Sequence, residues 1–283
     1  MLILQISDIH LNSPADAKFP AAEHLSAVIK DTEHLKDRLD AIVLTGDLVD
    51  DGSAKEYGEL FDKLAEAYGE ETPILVTPGN HDNRQAMDDA YCGFLASKHW
   101  PQSPHVVIEG SLVNPGSSVI RLDIYDSAKT DKKNTIVLMD SGHRDYPYNG
   151  LARLNYLNAM HPAWGQRYPY ILFTHMPIIR PFHRFMNDAS RTIADDDNVF
   201  MVNLESSGCT YIACGHYQCQ SHSTAFGIQQ FVAPAVQVQI DPFAKDPFAK
   251  DCHPSGNFPG YTIISDHGVT EFESYYVLKE NNP

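Results

Sequence analysis

Short apolar segments rich in β-branched residues recur along the chain, and Asp, Asn or His lies within four residues after each of them. Their length and composition predict buried strands at residues 2–6, 41–44, 74–76, 136–139, 170–173 and 211–214. The amphipathic stretches at 24–39, 54–68 and 151–160 carry apolar residues at three- and four-residue spacing, which predicts helices. Alternating strands and helices are typical of a layered α/β fold.

In two regions, from 106 to 122 and from 231 onward, strand patterns follow one another without a helix pattern between them. The tripeptide Asp266-His267-Gly268 predicts a turn between strands at 261–265 and 269–277. We therefore expect the later part of the sheet structure to be mixed or antiparallel.

The chain is expected to form a single domain over residues 1–283, because no Gly/Ser-rich or Pro-rich linker divides it. Residues 177–197 lack a clear period and predict a cap or a loop insertion. Residues 231–283 are expected to supply C-terminal strands that complete the second sheet.

The composition argues against several classes of protein. The 37 Asp and Glu residues outnumber the 21 Lys and Arg residues, and the net charge of −16 disfavours nucleic acid polymers and anionic membranes as partners. The sequence contains no apolar stretch of about 18 residues, the length that predicts a membrane span. Its N-terminus lacks the pattern of a secretory signal. The five cysteines form no CxxC pair. A reducing compartment, the cytoplasm, is therefore expected.

Residues with metal-binding side chains lie at the ends of the predicted strands. Taken singly, each has an ordinary explanation as a turn, a helix cap or a hydrogen-bonded histidine. Because α/β folds gather their ligands at the carboxyl ends of strands, the recurrence in order predicts one shared site. Asp8 and His10 would point to the same side of an extended strand. The candidates are Asp8, His10, Asp47, Asn80, His81, Asp82, His175 and His216.

These motifs resemble those of the calcineurin-like metallophosphoesterase superfamily, which run Asp-x-His, Gly-Asp, Gly-Asn-His-Asp/Glu, His and Gly-His-x-His in that order. The resemblance covers roughly residues 2–220. The motifs that contain Asp47 with Asp50 and Asn80 with Asp82 look most like the class III cyclic-nucleotide phosphodiesterase branch. Segments 233–237 and 258–261 look like the C-terminal strands of that branch.

The resemblance implies a four-layer α/β/β/α sandwich of two mixed sheets flanked by helices, with a binuclear centre of Mn, Fe or Zn. Asp8 and His10 would bind the first metal, and Asp47 would bridge both. Asn80, His175 and His216 would complete the second site. Hydroxide held between the ions would attack phosphorus in line.

Two further residues have implied roles in catalysis. His81 would act near the leaving oxygen, as a general acid or hydrogen-bond donor. Asp50 would either orient that histidine or lie in the loop as a solvated acid.

The chain departs from the family at Gly215-His216-Tyr217-Gln218, where a second histidine is usual. Gln218 would contribute at most a weak amide oxygen to the first metal. The first site is therefore expected to bind metal more weakly than usual, and Gln218→His to tighten it.

The predicted function is that of a metal-dependent phosphodiesterase acting on a small diester such as a 3′,5′-cyclic nucleotide. A phosphomonoesterase, or a hydrolase of nucleotide or lipid pyrophosphates, is an alternative, because the same core serves these reactions. A weakly active phospho-ligand-binding domain is a second alternative, which Gln218 favours. Related branches are often dimeric, so a homodimer is expected.

Overall fold

The computed structural model describes residues 1–13, 19–50, 52–98, 100–102, 106–109, 119–125, 132–143, 146–147, 169–180, 197–241, 258–266 and 269–278. The helices are α1 (Ala21–Thr32), α2 (Ala54–Tyr68), α3 (Arg84–Ala96) and α4 (Asp197–Ser207). Short 3-10 turns cover Glu33–Leu35 and Trp100–Gln102.

The strands in chain order are β1 (Leu2–Ile6), β2 (Ala41–Thr45), β3 (Ile74–Thr77), β4 (Val106–Glu109), β5 (Val119–Tyr125), β6 (Lys132–Met139), β7 (Gly142–His143), β8 (Tyr146–Pro147), β9 (Tyr170–Phe173), β10 (Cys209–Cys214), β11 (Ser221–Ala225), β12 (Ile228–Val232), β13 (Gly260–Asp266) and β14 (Thr270–Tyr276).

A local sequence signal explains the start of one predicted helix. Helix α2 has the predicted bounds because Ser53 and Glu56 form a capping box at its start. Helix α1 ends at Thr32, short of the predicted residue 39, and a 3-10 turn continues it. The helix predicted at 151–160 and most of the cap or loop predicted at 177–197 lie outside the described residues.

Two mixed sheets form the centre of the fold. The first has the order β14-β13-β1-β2-β3, and β1, β2 and β3 run parallel. The second has the order β11-β12-β10-β9-β6-β5-β4, and its four central strands β12, β10, β9 and β6 run parallel. Strands β7 and β8 form a separate two-stranded pair.

The prediction that the C-terminal strands complete the second sheet is wrong. Strand β13 pairs antiparallel with β1, and β14 pairs with β13, so both extend the first sheet. This placement buries Tyr261 and Ile264 in the core shared by the first sheet and α1. It also lets the Tyr261 hydroxyl donate to Asp31 of α1 at 2.7 Å.

The central strands β6 and β9 of the second sheet are buried on both faces, as their continuous apolar sequences require. Ile136 and Leu138 of β6 point into the core that contains the first sheet and helices α1, α2 and α3. Val137 and Met139 point into a second core that contains Leu204 of α4. The predicted architecture of two mixed sheets flanked by helices is confirmed.

Candidate metal centre

The predicted metal-binding residues lie together where parallel strands of the two sheets end. Their loops follow β1, β2 and β3 in the first sheet and β9 and β10 in the second. Just before this edge, the Gln5 amide connects the sheets by donating to Thr45 Oγ1 and to the Cys214 carbonyl, each at 3.1 Å. The residues are Asp8, His10, Asp47, Asp50, Asn80, His81, His175, His216 and Gln218.

The first donor group consists of Asp8, His10 and Asp47, which offer ligand atoms within 4.8 Å of one another. The Gln218 amide nitrogen lies 3.0 Å from Nε2 of His10. The Asp8 carboxylate accepts from Ser7 Oγ at 2.6 Å and from the His216 backbone N–H at 3.0 Å. These contacts orient Asp8 toward His10 and Asp47.

The extended geometry predicted for Asp8 and His10 is wrong, although the two side chains do converge. Strand β1 ends at Ile6, and the φ angles of Asp8 and His10 are 53° and 50°. Three other residues of the site also have left-handed backbone: Asp47 (52°), His216 (69°) and Gln218 (51°). Such conformations cost roughly 1–3 kcal/mol each and concentrate at functional sites.

The second donor group consists of Asp47, His175 and His216, again within 4.8 Å. Nε2 of His175 lies 3.2 Å from Asp47 Oδ2, 3.0 Å from Asn80 Oδ1 and 3.2 Å from His216 Nδ1. The other ring nitrogen of His175 donates to the Thr45 carbonyl at 2.8 Å, because a carbonyl can only accept. Nε2 of the neutral ring therefore points a lone pair at other electron-pair donors.

Such a set of facing lone pairs needs a cation among them, either a proton or a metal ion. Burial lowers the pKa of His175, but Asp47 outweighs this effect and raises it to about 9. Burial raises the pKa of Asp8, whereas His175 and the other histidines hold the pKa of Asp47 well below its usual range against the effect of burial. Imidazole with carboxylate and amide oxygens is a donor set that fits Mn, Fe or Zn.

Asp47 belongs to both donor groups. Its Oδ2 atom lies 3.5 Å from His10 Nε2 and 3.2 Å from His175 Nε2. Its Oδ1 atom accepts from the His81 backbone N–H at 2.8 Å. Gly79 makes this packing possible, because a Cβ there would overlap the Asp47 backbone nitrogen and carboxylate.

Asp50 connects the first donor group to His81. Its Oδ1 atom accepts from His10 Nδ1 at 2.8 Å and lies 3.2 Å from His81 Nδ1. The His10 side chain is 6% exposed, whereas that of His81 is 33% exposed at the edge of the site. The Asp50 contact also leaves Nε2 of His10 as the nitrogen that faces Asp47 and Gln218.

Asp82 is part of the motif but contacts the protein backbone and Tyr57. Its carboxylate accepts from the backbone N–H groups of Gly79 at 2.8 Å, Leu48 at 2.9 Å and Val49 at 3.2 Å. The Tyr57 hydroxyl donates to it at 2.9 Å. Asp82 thus joins the loops that follow β2 and β3, behind the ligands that they carry.

Sequence reasoning missed the segment that supports the first donor group. The backbone N–H groups of Val236, Gln237 and Ile240 donate to the carbonyls of Ser7, Asp8 and Gln218, respectively. Residues 233–237, which resemble a C-terminal strand in sequence, are therefore a non-strand segment that holds these loops. Their Pro and Gln content gave no local signal for these distant partners.

Sequence reasoning also missed an ion pair close to the site. Arg84, at the start of α3, donates to both carboxylate oxygens of Asp140, at 3.1 and 2.8 Å. Asp140 follows β6, the neighbour of β9 in the second sheet. The pair joins the loop after β3 to the loop after β6.

Two adjacent donor groups that share a carboxylate define a candidate binuclear metal centre. The model of the calcineurin-like phosphoesterase family matches residues 1–220. The chain therefore belongs to the calcineurin-like phosphoesterase family. This family uses a binuclear metal centre.

Known proteins similar to this chain include two curated relatives. A probable glycerophosphodiester phosphodiesterase of Arcobacter nitrofigilis is 32% identical over 90 residues, which span 31% of this chain and only about a third (32%) of that relative. A probable cyclic nucleotide phosphodiesterase of Fibrobacter succinogenes is 25% identical over 211 residues, 75% of this chain and 70% of the relative.

A solved structure shows the same fold. The dimetal phosphatase from Danio rerio aligns with a TM-score of 0.59 at 11% identity and covers 98% of both chains. Within the described part of this chain, none of the helices combines the length and the apolar character that crossing a membrane requires.

Proposed function

We propose that the protein is a metal-dependent phosphodiesterase that hydrolyses a small phosphodiester such as a 3′,5′-cyclic nucleotide. The observation that carries this proposal is the shared Asp47 of two donor groups, with His81 beside them and in contact with Asp50. A relative named as a probable cyclic nucleotide phosphodiesterase supports the choice of a diester. The net charge of −16 favours a small substrate over a nucleic acid polymer.

The donor groups have separate roles in this proposal. Asp8, His10, Asp47 and Gln218 hold the first ion, whereas Asp47, Asn80, His175 and His216 hold the second. Mn, Fe or Zn suits these donors. When bound, the two ions supply positive charge at the phosphoryl oxygens and activate water as the nucleophile.

His81 is the proposed proton donor to the leaving oxygen. Its Nδ1 atom contacts Asp50, which sets the orientation of the ring and leaves Nε2 for the substrate. Its partial exposure places it where a substrate can arrive. Asp50 is therefore a positioning residue, for His81 and for the ligand His10 together.

Hydrolysis of bis(p-nitrophenyl) phosphate beside p-nitrophenyl phosphate tests the proposal, after chelation and after return of Mn, Zn, Fe or Mg. We expect metal-restored diester cleavage that Asp47→Asn abolishes and that His81→Ala lowers about 10²- to 10⁴-fold. Asp62→Asn and His34→Ala change the same residue types at exposed positions outside the site and serve as matched controls.

Each contrary outcome favours another function. Preference for the monoester would indicate a phosphomonoesterase, and turnover of pyrophosphates alone would indicate a pyrophosphate hydrolase. Bound metal without turnover of any ester would indicate a phospho-ligand-binding domain. Success with the diester would be followed by a screen of 3′,5′-cyclic nucleotides.

Domain organisation, location and assembly complete the proposal. We propose one domain over residues 1–283, a homodimer in solution and a cytoplasmic location. The described cysteines Cys92, Cys209, Cys214 and Cys219 are free thiols, as a reducing compartment favours. Light scattering coupled to size exclusion tests the dimer.

A further inference from the structure

The two donor groups differ in the kind of atom that they offer. The first combines one imidazole (His10) with two carboxylates (Asp8 and Asp47) and the Gln218 amide. The second combines two imidazoles (His175 and His216) with Asp47 and the Asn80 amide. Oxygen donors suit Mn and Mg, whereas imidazole suits Zn and Fe. The first group is therefore the more oxygen-rich of the two.

The side-chain amides of Asn80 and Gln218 also turn different atoms, oxygen and nitrogen respectively, toward the neighbouring histidine. Asn80 presents its oxygen to Nε2 of His175 at 3.0 Å. Gln218 presents its nitrogen to Nε2 of His10 at 3.0 Å. In the neutral form of His10, which is the form that binds metal, Nδ1 donates to Asp50 and Nε2 carries the lone pair, so the Gln218 amide nitrogen lies beside that lone pair. The amide thus covers the lone pair that a metal ion would use.

The backbone keeps Gln218 at this point. Its φ angle is 51°, and its carbonyl accepts from the Ile240 N–H at 2.7 Å. An amide nitrogen has no lone pair for a metal, so an ion can recruit Gln218 only after the amide rotates and presents its oxygen. A metal ion that binds at the first group and recruits Gln218 must therefore break the contact between the Gln218 amide nitrogen and His10. It then gains the Gln218 amide oxygen as a ligand.

We propose that Gln218 makes the first donor group an exchangeable site with a weaker preference for zinc than the second group, so that the centre loads with unlike metals. The selectivity arises from the amide, which offers oxygen only, and from the oxygen-rich remainder of the group. The second group retains zinc or iron, and the first takes manganese when zinc is limiting. This inference rests on the proposed metal centre.

Competition between metals measures this selectivity without an activity assay. The chelated protein receives one equivalent of Zn²⁺ and then excess Mn²⁺, whose binding is followed by electron paramagnetic resonance. Added Zn²⁺ then displaces Mn²⁺, and bound metal is counted by mass spectrometry after dialysis. For the wild-type protein, we expect one Zn and one Mn per chain, with Mn displaced only at high Zn.

Substitutions at 218 separate the contribution of the amide from that of the other donors. Gln218→His should lower the Zn concentration that displaces Mn by about tenfold or more, because it adds a second imidazole to the first group. Gln218→Glu, of the same shape, should tighten Mn binding while keeping the oxygen donor. Gln220→His adds the same histidine at an exposed position two residues away and should behave as the wild type.

The outcomes distinguish this inference from the proposed function. Equal Zn selectivity of the two groups in the wild type, or unchanged selectivity in Gln218→His and Gln218→Glu, overturns the inference and leaves a binuclear centre in place. Binding of no metal by the wild type, or binding that Asp47→Asn leaves intact, overturns the proposed centre and the inference with it.

Discussion

Asp50 and Asp82 follow the neighbouring strands β2 and β3, but they differ in the groups from which they accept hydrogen bonds. Asp50 accepts from the imidazole of His10 and contacts that of His81, and its side chain is 14% exposed. Asp82 is buried and accepts from three backbone N–H groups and one phenol. One carboxylate orients groups that can react, and the other fixes the backbone that carries them.

This difference shows why an acidic residue in a catalytic motif is not by itself a functional residue. Both acids lie within three residues of a proposed ligand in the sequence. The partners separate their roles, because imidazoles titrate and bind metals, whereas backbone N–H groups do neither. Asp82 should therefore matter most for stability, and Asp50 for the properties of the histidines.

Asp82→Ala should have the largest effect on folding. It leaves the N–H groups of Gly79, Leu48 and Val49 buried without their acceptor, at a cost of about 3–5 kcal/mol in the free energy of unfolding. Urea unfolding of the chelated protein measures this, with the exposed Asp62→Ala as the control. A loss below about 1 kcal/mol would show that water or a shifted loop replaces the carboxylate.

The Asp50 contacts should make the stability of the chelated protein depend on pH. Burial lowers the pKa of His10, but the hydrogen bond to Asp50 and the charges of Asp47 and Asp8 outweigh this effect and raise it to about 9. Because this value exceeds that of the unfolded chain, the stabilisation is present below about pH 6.5 and is lost as the pH rises through 9. A shift of this size corresponds to roughly 3 kcal/mol.

Unfolding free energies at several pH values, with and without metal, check this expectation. Metal return should flatten the profile, because the ligand imidazoles are then neutral. Asp50→Asn should weaken the decline in the chelated protein, although His175, whose pKa is also raised to about 9, keeps part of it. Identical pH profiles for the wild type and Asp50→Asn would contradict the assigned contact.

The sequence predicts the ligands better than it predicts their support. Strands β1 and β9 have the predicted bounds, and the residues that follow the strands converge because parallel strands place their carboxyl ends together. The hydrophobic period and the composition of each short segment are enough to predict these strands and the residues that follow them. The left-handed backbone of Asp8 and His10 leaves no such local trace, because only glycine marks this conformation reliably in a sequence.

Partners distant in the chain explain the remaining errors. Strand β13 lies beside β1 although about 260 positions separate the paired residues, and its alternation alone fits either sheet. The carbonyl of Asp8 is held by Gln237 through one backbone hydrogen bond that no side-chain pattern encodes. Such pairings depend on the whole fold, so the site residues could be predicted before the contacts that orient them.

Tyr57→Phe should have the smallest effect on the free energy of unfolding. It tests how much the Tyr57 hydroxyl, compared with the backbone N–H groups, contributes to holding Asp82 in place. It removes the hydroxyl that donates to Asp82 at 2.9 Å and accepts from the Asn83 N–H at 2.9 Å. The three backbone donors of Asp82 remain, so the unfolding free energy should fall by only about 1 kcal/mol. Tyr275→Phe, at a hydroxyl on the exposed strand β14, is the control. A loss as large as that of Asp82→Ala would mean that the phenol, and not the backbone, holds the carboxylate in place.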